Sequence, residues 1–191
     1  MRNILSACSV ALIIGCSSEL LSISLQEEAQ ATVPASDPLT GELVELVGDV
    51  GFSGFTDMQI SQSEVLQNQG VAPGDITTVF LTEFTVEVVE PQDQDLSFLS
   101  SVSVYVEAEG LDKQLVALSD EFPEGASQVS FALETVDLAP YVVAEAMSLT
   151  TDVEGSLPAK EVTLNAIFAL DVGVTQQGAC RAISQPTDSG S

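Results

Sequence analysis

Three segments of the chain alternate apolar and polar residues with a period of two. The longest runs from Val162 to Val174, where every second residue is apolar over the whole stretch. A second lies within residues 81–90 and a third within residues 101–108. Alternation of this length places one side of a strand in a core and the other side largely in solvent. The pattern therefore predicts three well-defined β-strands.

Shorter strands are predicted between groups of turn-forming residues around Pro91, Gly110, Gly125 and Gly155. The shorter strands are predicted at residues 43–47, 55–60, 114–118, 128–134 and 147–153. Many short strands separated by frequent turns are typical of an all-β, antiparallel β-sandwich. Immunoglobulin-like and jelly-roll topologies both remain open.

One short helix is predicted at residues 137–146. Asp137 is a suitable capping residue, and Pro140 is tolerated in a first helical turn. The apolar face of this helix would consist of Val142, Val143 and Ala146.

The N-terminus has the charge and length of a secretory signal peptide. Arg2 precedes an apolar run over residues 4–14. This run is too short for a transmembrane helix, which needs about 20 residues. A positive start followed by a short apolar run is instead typical of a signal peptide.

The residues that end this run, Ile13-Ile14-Gly15-Cys16, resemble the lipobox of bacterial lipoproteins. In that family the cysteine thiol receives a diacylglyceryl group and the signal is cut just before it. The resemblance implies that residues 1–15 are a lipoprotein signal peptide and that Cys16 is the lipidated first residue of the mature protein. An ordinary signal peptide that happens to contain a cysteine is the alternative.

The composition of the chain indicates a domain organisation, and the resemblance implies a location. Residues 16–38 are expected to be a lipidated tether, residues 39–176 the β-sandwich domain, and residues 177–191 a disordered tail. Leu20, Leu21, Ile23 and Leu25 are taken as part of the tether, although they are also compatible with a short strand or with contact to lipid. The protein is expected in the bacterial cell envelope, and Ser17 resembles the outer-membrane class if the organism is Gram-negative.

The charge balance excludes several functions. The 191 residues include 29 acidic and 4 basic side chains and no histidine, for a net charge of −25. Nucleic acid repels such a chain, because binding requires Lys and Arg at the phosphates. Without histidine there is no His-based triad or His-ligated metal. With 45% apolar residues the chain is still expected to fold.

The carboxylates are the abundant reactive groups. Glu90, Asp93 and Asp95 lie in one predicted turn, and carboxylate oxygens at this spacing are possible ligands for Ca²⁺. The segment lacks the glycine and terminal glutamate of an EF-hand loop, so a solvated acidic loop is the favoured interpretation. No cofactor other than this calcium ion is expected.

Cys180 is the remaining cysteine once Cys8 leaves with the signal and Cys16 carries lipid. It is therefore either a free thiol or part of an intermolecular disulfide.

These observations predict a membrane-anchored, non-catalytic lipoprotein that acts as an interaction or structural module of the envelope. Its partners would be the membrane, through the lipid, and an envelope protein or glycan. The alternatives are a Ca²⁺-dependent binding module, including one for carbohydrate, and a hydrolase that uses two carboxylates.

Overall fold

A computed structural model describes residues 21–36, 45–48, 64–68, 70–144 and 147–175. Within these residues the strands are β1 Leu21–Val33, β2 Glu45–Gly48, β3 Ile76–Glu90, β4 Leu99–Ala108, β5 Leu111–Ser119, β6 Gln128–Ser130, β7 Ala132–Leu133, β8 Ser148–Ser156 and β9 Val162–Val174. The helices described are α1 Glu64–Asn68, a 3-10 turn Pro73–Asp75 and α2 Ala139–Val142.

The strands form two sheets, both of them antiparallel throughout. One sheet has the order β1-β9-β3-β6 and the other the order β2-β8-β4-β5-β7. The apolar sides of both sheets contribute to one hydrophobic core. The predicted all-β, antiparallel β-sandwich is therefore confirmed.

The strand order also distinguishes the two open topologies. The antiparallel pairs are nested, because β1 pairs with β9, β2 with β8, β3 with β6 and β4 with β5. Successive strands β1, β2, β3 and β4 alternate between the sheets. A long antiparallel ribbon rolled into two sheets has this order, which is the jelly-roll arrangement. An immunoglobulin sandwich instead places its first two strands in the same sheet.

Strand β9 lies between β1 and β3 and contributes the longest buried face. The inward residues are Val162, Leu164, Ala166, Phe168, Leu170, Val172 and Val174, and each is at most 3% exposed. Strand β4 contributes a buried face to the second sheet through Val102, Val104 and Val106. The inward half of the predicted alternation is confirmed in both strands. The alternate positions of β9 are not in solvent as predicted, since they are half-buried or, at Asn165 and Gly173, buried.

The prediction of a tether was wrong for residues 21–33, which form β1. This strand pairs with β9 along its whole length, from Leu21 opposite Val174 to Val33 opposite Val162. Ile23 and Leu25 are buried in the core. The half-buried Glu27 interrupts the apolar alternation at an inward position, which is why the sequence resembled a linker. The neighbouring strand β9 supplies the hydrogen-bond partners that stabilise β1 as a strand.

The helix predicted at residues 137–146 is shorter in the structure. Asp137 does act at its start, since its Oδ1 accepts hydrogen bonds from the backbone N–H groups of Ala139 at 3.0 Å and Val79 at 2.9 Å. Val142 is buried, as predicted, but Val143 lies past the helix and is exposed. Ala146 and the strand predicted at residues 55–60 lie outside the described residues.

The strands predicted at residues 43–47, 114–118 and 147–153 differ from β2, β5 and β8 only in their bounds. The segment 128–134 forms two short strands, β6 and β7, that belong to different sheets. No described helix has the length and apolar character needed to cross a bilayer.

We expect Leu164→Ala to lower the free energy of unfolding by about 2–5 kcal/mol, because the side chain is fully buried between the sheets. Leu111→Ala is the matched control, since Leu111 is exposed, and it should change stability by less than about 0.5 kcal/mol. Urea denaturation of both variants measures the difference. Equal losses would contradict the burial pattern.

We expect Gly155→Ala in β8 to destabilise the domain by roughly 1–3 kcal/mol. A Cβ at this position would collide with the carbonyl oxygen of Phe98 and lie 3.0 Å from Leu99 Cα. Both are backbone atoms of the adjacent segment, so they cannot move away without disturbing the sheet. The control is Gly74→Ala, where no atom lies within 4 Å of the new Cβ. A neutral Gly155→Ala variant in thermal melting would refute the close approach.

Candidate functional site

The predicted site lies in the loop between β3 and β4. Glu90 is the last residue of β3, opposite Thr163 of β9. The backbone N–H of Gln94 donates to the Pro91 carbonyl at 3.0 Å, which closes a tight turn directly after the strand. The turn places Asp93 and Asp95 on either side of Gln94, and their carboxylates have different partners.

Asp95 joins two loops. Its Oδ1 accepts hydrogen bonds from the Ser97 hydroxyl at 2.6 Å and the Ser97 N–H at 3.1 Å. Its Oδ2 accepts one from the N–H of Gly125 at 2.7 Å. Gly125 has a φ of 79°, a left-handed conformation that glycine adopts without strain. A backbone bond from Leu96 to the Ala126 carbonyl, at 2.9 Å, reinforces the connection.

These hydrogen bonds lower the pKa of the Asp95 carboxyl from its ordinary value. The bond from the Ser97 hydroxyl contributes most, followed by the N–H groups of Gly125 and Ser97. All three donors stabilise the charged form of the carboxylate. Asp95 is therefore a structural anion that fastens the loop after β3 to the turn before β6.

Asp93 pairs with a lysine from the loop between β8 and β9. The distance from its Oδ2 to Lys160 Nζ is 3.0 Å. The hydrogen bond from Lys160, followed by the lysine charge, lowers the pKa of the Asp93 carboxyl. The side chains of Lys160 and Asp93 are 62% and 72% exposed, so water and salt screen the pair and it stabilises the fold only weakly.

The structure does not bring Glu90, Asp93 and Asp95 together as a metal site. Within the described parts of the chain, no three Asp, Glu, Cys or His side chains are placed to hold a metal ion. Ligand spacing in the sequence was misleading because the turn directs Asp95 toward Gly125 and Asp93 toward Lys160.

Three loops meet around these contacts at one end of the sandwich. They follow β3, β5 and β8, and the bonds of Asp95 to Gly125 and of Asp93 to Lys160 connect them. We call this region the acidic end. Its acidic residues are Glu90, Asp93, Asp95, Asp120, Glu121, Glu124 and Glu161.

Two shallow grooves cut the surface of the acidic end. One, of about 480 Å³, is lined by residues that include Glu90, Lys160 and Glu161. The other, of about 380 Å³, is lined by residues that include Asp120 and Glu121. Carboxylates contribute to the walls of both grooves. The sequence analysis singled out Glu90, Asp93 and Asp95, but no local signal showed that the loops after β5 and β8 are their neighbours.

The two lysines in the described part of the chain are both engaged. Lys160 pairs with Asp93, and Lys113 Nζ lies 4.3 Å from the centre of the Tyr105 ring, in the geometry of a cation–π contact. The surface at the acidic end is therefore strongly negative. Cys16 and Cys180, the other residues singled out from the sequence, lie outside the described residues.

No protein-family model matches the chain, and none of the curated proteins is similar to it. Among solved structures, the decameric BFDV capsid protein is similar with a TM-score of 0.44 and 11% identity, covering 82% of this chain and 99% of that one. The 60-mer form of the BFDV capsid protein gives a TM-score of 0.45 and 11% identity, covering 83% and 95%.

We expect Asp95→Asn to lower the melting temperature most near neutral pH. Folding lowers the pKa of the Asp95 carboxyl from its ordinary value. The ionised carboxylate therefore stabilises the folded state fully at any pH above the pKa that this carboxyl has in the unfolded chain. This stabilisation is lost as the pH falls through the lower pKa of the folded state. The difference in melting temperature between wild type and variant should therefore shrink in acid.

Melting curves at a series of pH values measure this difference. Asp93→Asn is the control, because its exposed ion pair should matter less and its effect should vanish at high salt. A difference for Asp95→Asn that stays constant into acid would contradict the structural role of the Asp95 charge.

Proposed function

We propose that this protein is a lipid-anchored, non-catalytic β-sandwich of the bacterial cell envelope that acts as an interaction or structural module. The observation that carries the proposal is the sequence Ile13-Ile14-Gly15-Cys16, placed directly after a positive start and a short apolar run. Sulfur is the nucleophile in lipid transfer, so the cysteine at the end of this pattern is the residue the chemistry requires. Two or more acyl chains on one protein give stable anchoring.

The described domain suits an anchored role because it begins close to the proposed lipid. Strand β1 starts at Leu21, five positions after Cys16. The mature chain would therefore consist of a lipidated residue followed almost at once by a folded body. The two grooves and the loops of the acidic end give this body a surface for a partner.

Charge favours one kind of partner. The chain carries 29 acidic side chains against 4 basic ones, and both described lysines already contact the protein itself. A field of one sign accelerates the approach of an oppositely charged molecule. The two candidate partners are an envelope protein and a glycan. A protein with a basic face fits this negative surface better, because its charge is opposite.

We expect Cys16→Ser to abolish incorporation of labelled fatty acid and to release the protein from the membrane fraction. The reason is that a serine hydroxyl does not replace the thiolate as the lipid acceptor. Metabolic labelling with palmitate, followed by membrane fractionation, measures both effects.

Cys8→Ser is the matched control, because Cys8 lies inside the proposed signal peptide and its loss should leave labelling unchanged. Label retained in the Cys16→Ser variant would refute the proposal. The same holds for mass spectra of the exported protein that show a free Cys16 thiol or an uncut signal.

A further inference from the structure

The antiparallel pairing defines a second end of the sandwich, opposite the acidic end. Leu21 at the start of β1 lies opposite Val174, and Val174 lies opposite Ile76 at the start of β3. Glu90 and Thr163, which pair with each other, mark the acidic end. The thirteen residues of β9 connect the two ends, a span of about 40 Å at the rise of a β-strand.

The β4–β5 hairpin and helix α2 also belong to this second end. Strand β4 runs from Leu99 near the acidic end to Ala108, and the chain then turns at Gly110, where φ is 80°. The Tyr141 hydroxyl in α2 donates to the Asp112 carbonyl at 2.7 Å, which holds the helix against the hairpin. We call this region the hairpin end.

The anchor attaches at the hairpin end. Five residue steps separate Cys16 from Leu21, and a fully extended chain of that length reaches at most about 18 Å. This is less than half the length of β9. A lipid on Cys16 therefore keeps the hairpin end near the bilayer surface.

The exposed large apolar side chains also lie toward this end. Among the described residues they are Phe80, Leu111 and Val143, which are 36%, 38% and 48% exposed. Leu111 is in the hairpin and Val143 follows α2. Phe80 lies opposite Asp171 of β9, three positions before Val174. Single exposed apolar residues are ordinary on protein surfaces, but these three share the end that the anchor holds near the lipid.

We infer that the hairpin end rests on the lipid surface, with Leu111 and Val143 in contact with it, so that the acidic end points away from the membrane. This inference depends on the proposed lipid anchor at Cys16. Glu107, Glu109 and Asp112 flank the hairpin, and anionic headgroups would repel them. The surface contacted is therefore one of uncharged or zwitterionic lipid.

The absence of tryptophan from the chain permits a direct test, because one introduced tryptophan is then a unique reporter. The lipidated mature protein is purified with Leu111→Trp, Val143→Trp or Glu124→Trp and incorporated into phosphatidylcholine vesicles. Parallel vesicles contain phosphatidylcholine with brominated acyl chains, which quench tryptophan on contact. Glu124 is the matched control, because it lies at the acidic end and, like Leu111 and Val143, is exposed.

We expect brominated lipid to quench fluorescence in Leu111→Trp and Val143→Trp and to leave Glu124→Trp unchanged. The two hairpin-end positions are independent, so a folding defect in one variant, detected by circular dichroism, leaves the other as the test. Quenching at position 124, or none at either hairpin-end position, would overturn the inferred orientation while leaving the lipid anchor intact. A free Cys16 thiol in the mass spectrum of the same preparations would overturn the anchor itself, and the orientation with it.

Discussion

The structure depends on the pairing of β9 with two neighbours over its whole length. Strands β1 and β3 lie on either side of it, and its inward side chains are buried along the full thirteen residues. Because side chains alternate between the two sides of a strand, a slip of one residue would move this entire apolar set into solvent. The register of β9 is therefore strongly determined, and it sets the position of both ends of the sandwich.

The acidic end follows from that register. With β3 and β9 aligned, the loops that follow β3 and β8 lie side by side, and Asp93 reaches Lys160. Asp95 then adds a connection to Gly125 in a third loop through a hydrogen bond of 2.7 Å. Asp93 and Asp95, two of the three carboxylates predicted as metal ligands, connect the loops instead. Their charges remain on a surface where few cations offset them, which is the basis for the proposed basic partner.

The position of β1 gives the proposed anchor a structural consequence. A long tether would let a domain rotate freely above a membrane, whereas a strand that begins five residues after Cys16 restricts it. The same strand is part of the sheet that contains β9, so a pull on the proposed lipid would be borne by the backbone hydrogen bonds between β1 and β9. The start of β1 and the acidic end thus lie at opposite ends of the sheet that contains β9.

Local alternation was enough to predict the strands around Phe84, Val104 and Leu170, and with them an all-β core, because burying one side of a strand requires a period of two. The residues before Cys16 likewise suggested a lipid anchor without any structure. The jelly-roll order, the inclusion of residues 21–33 as β1 and the role of Asp95 were decided only by the tertiary structure. Each depends on backbone groups far away in the chain. The partner of β1 is β9, and the partner of the Asp95 carboxylate is the N–H of Gly125. No local pattern specifies which distant segment a strand or a carboxylate will contact.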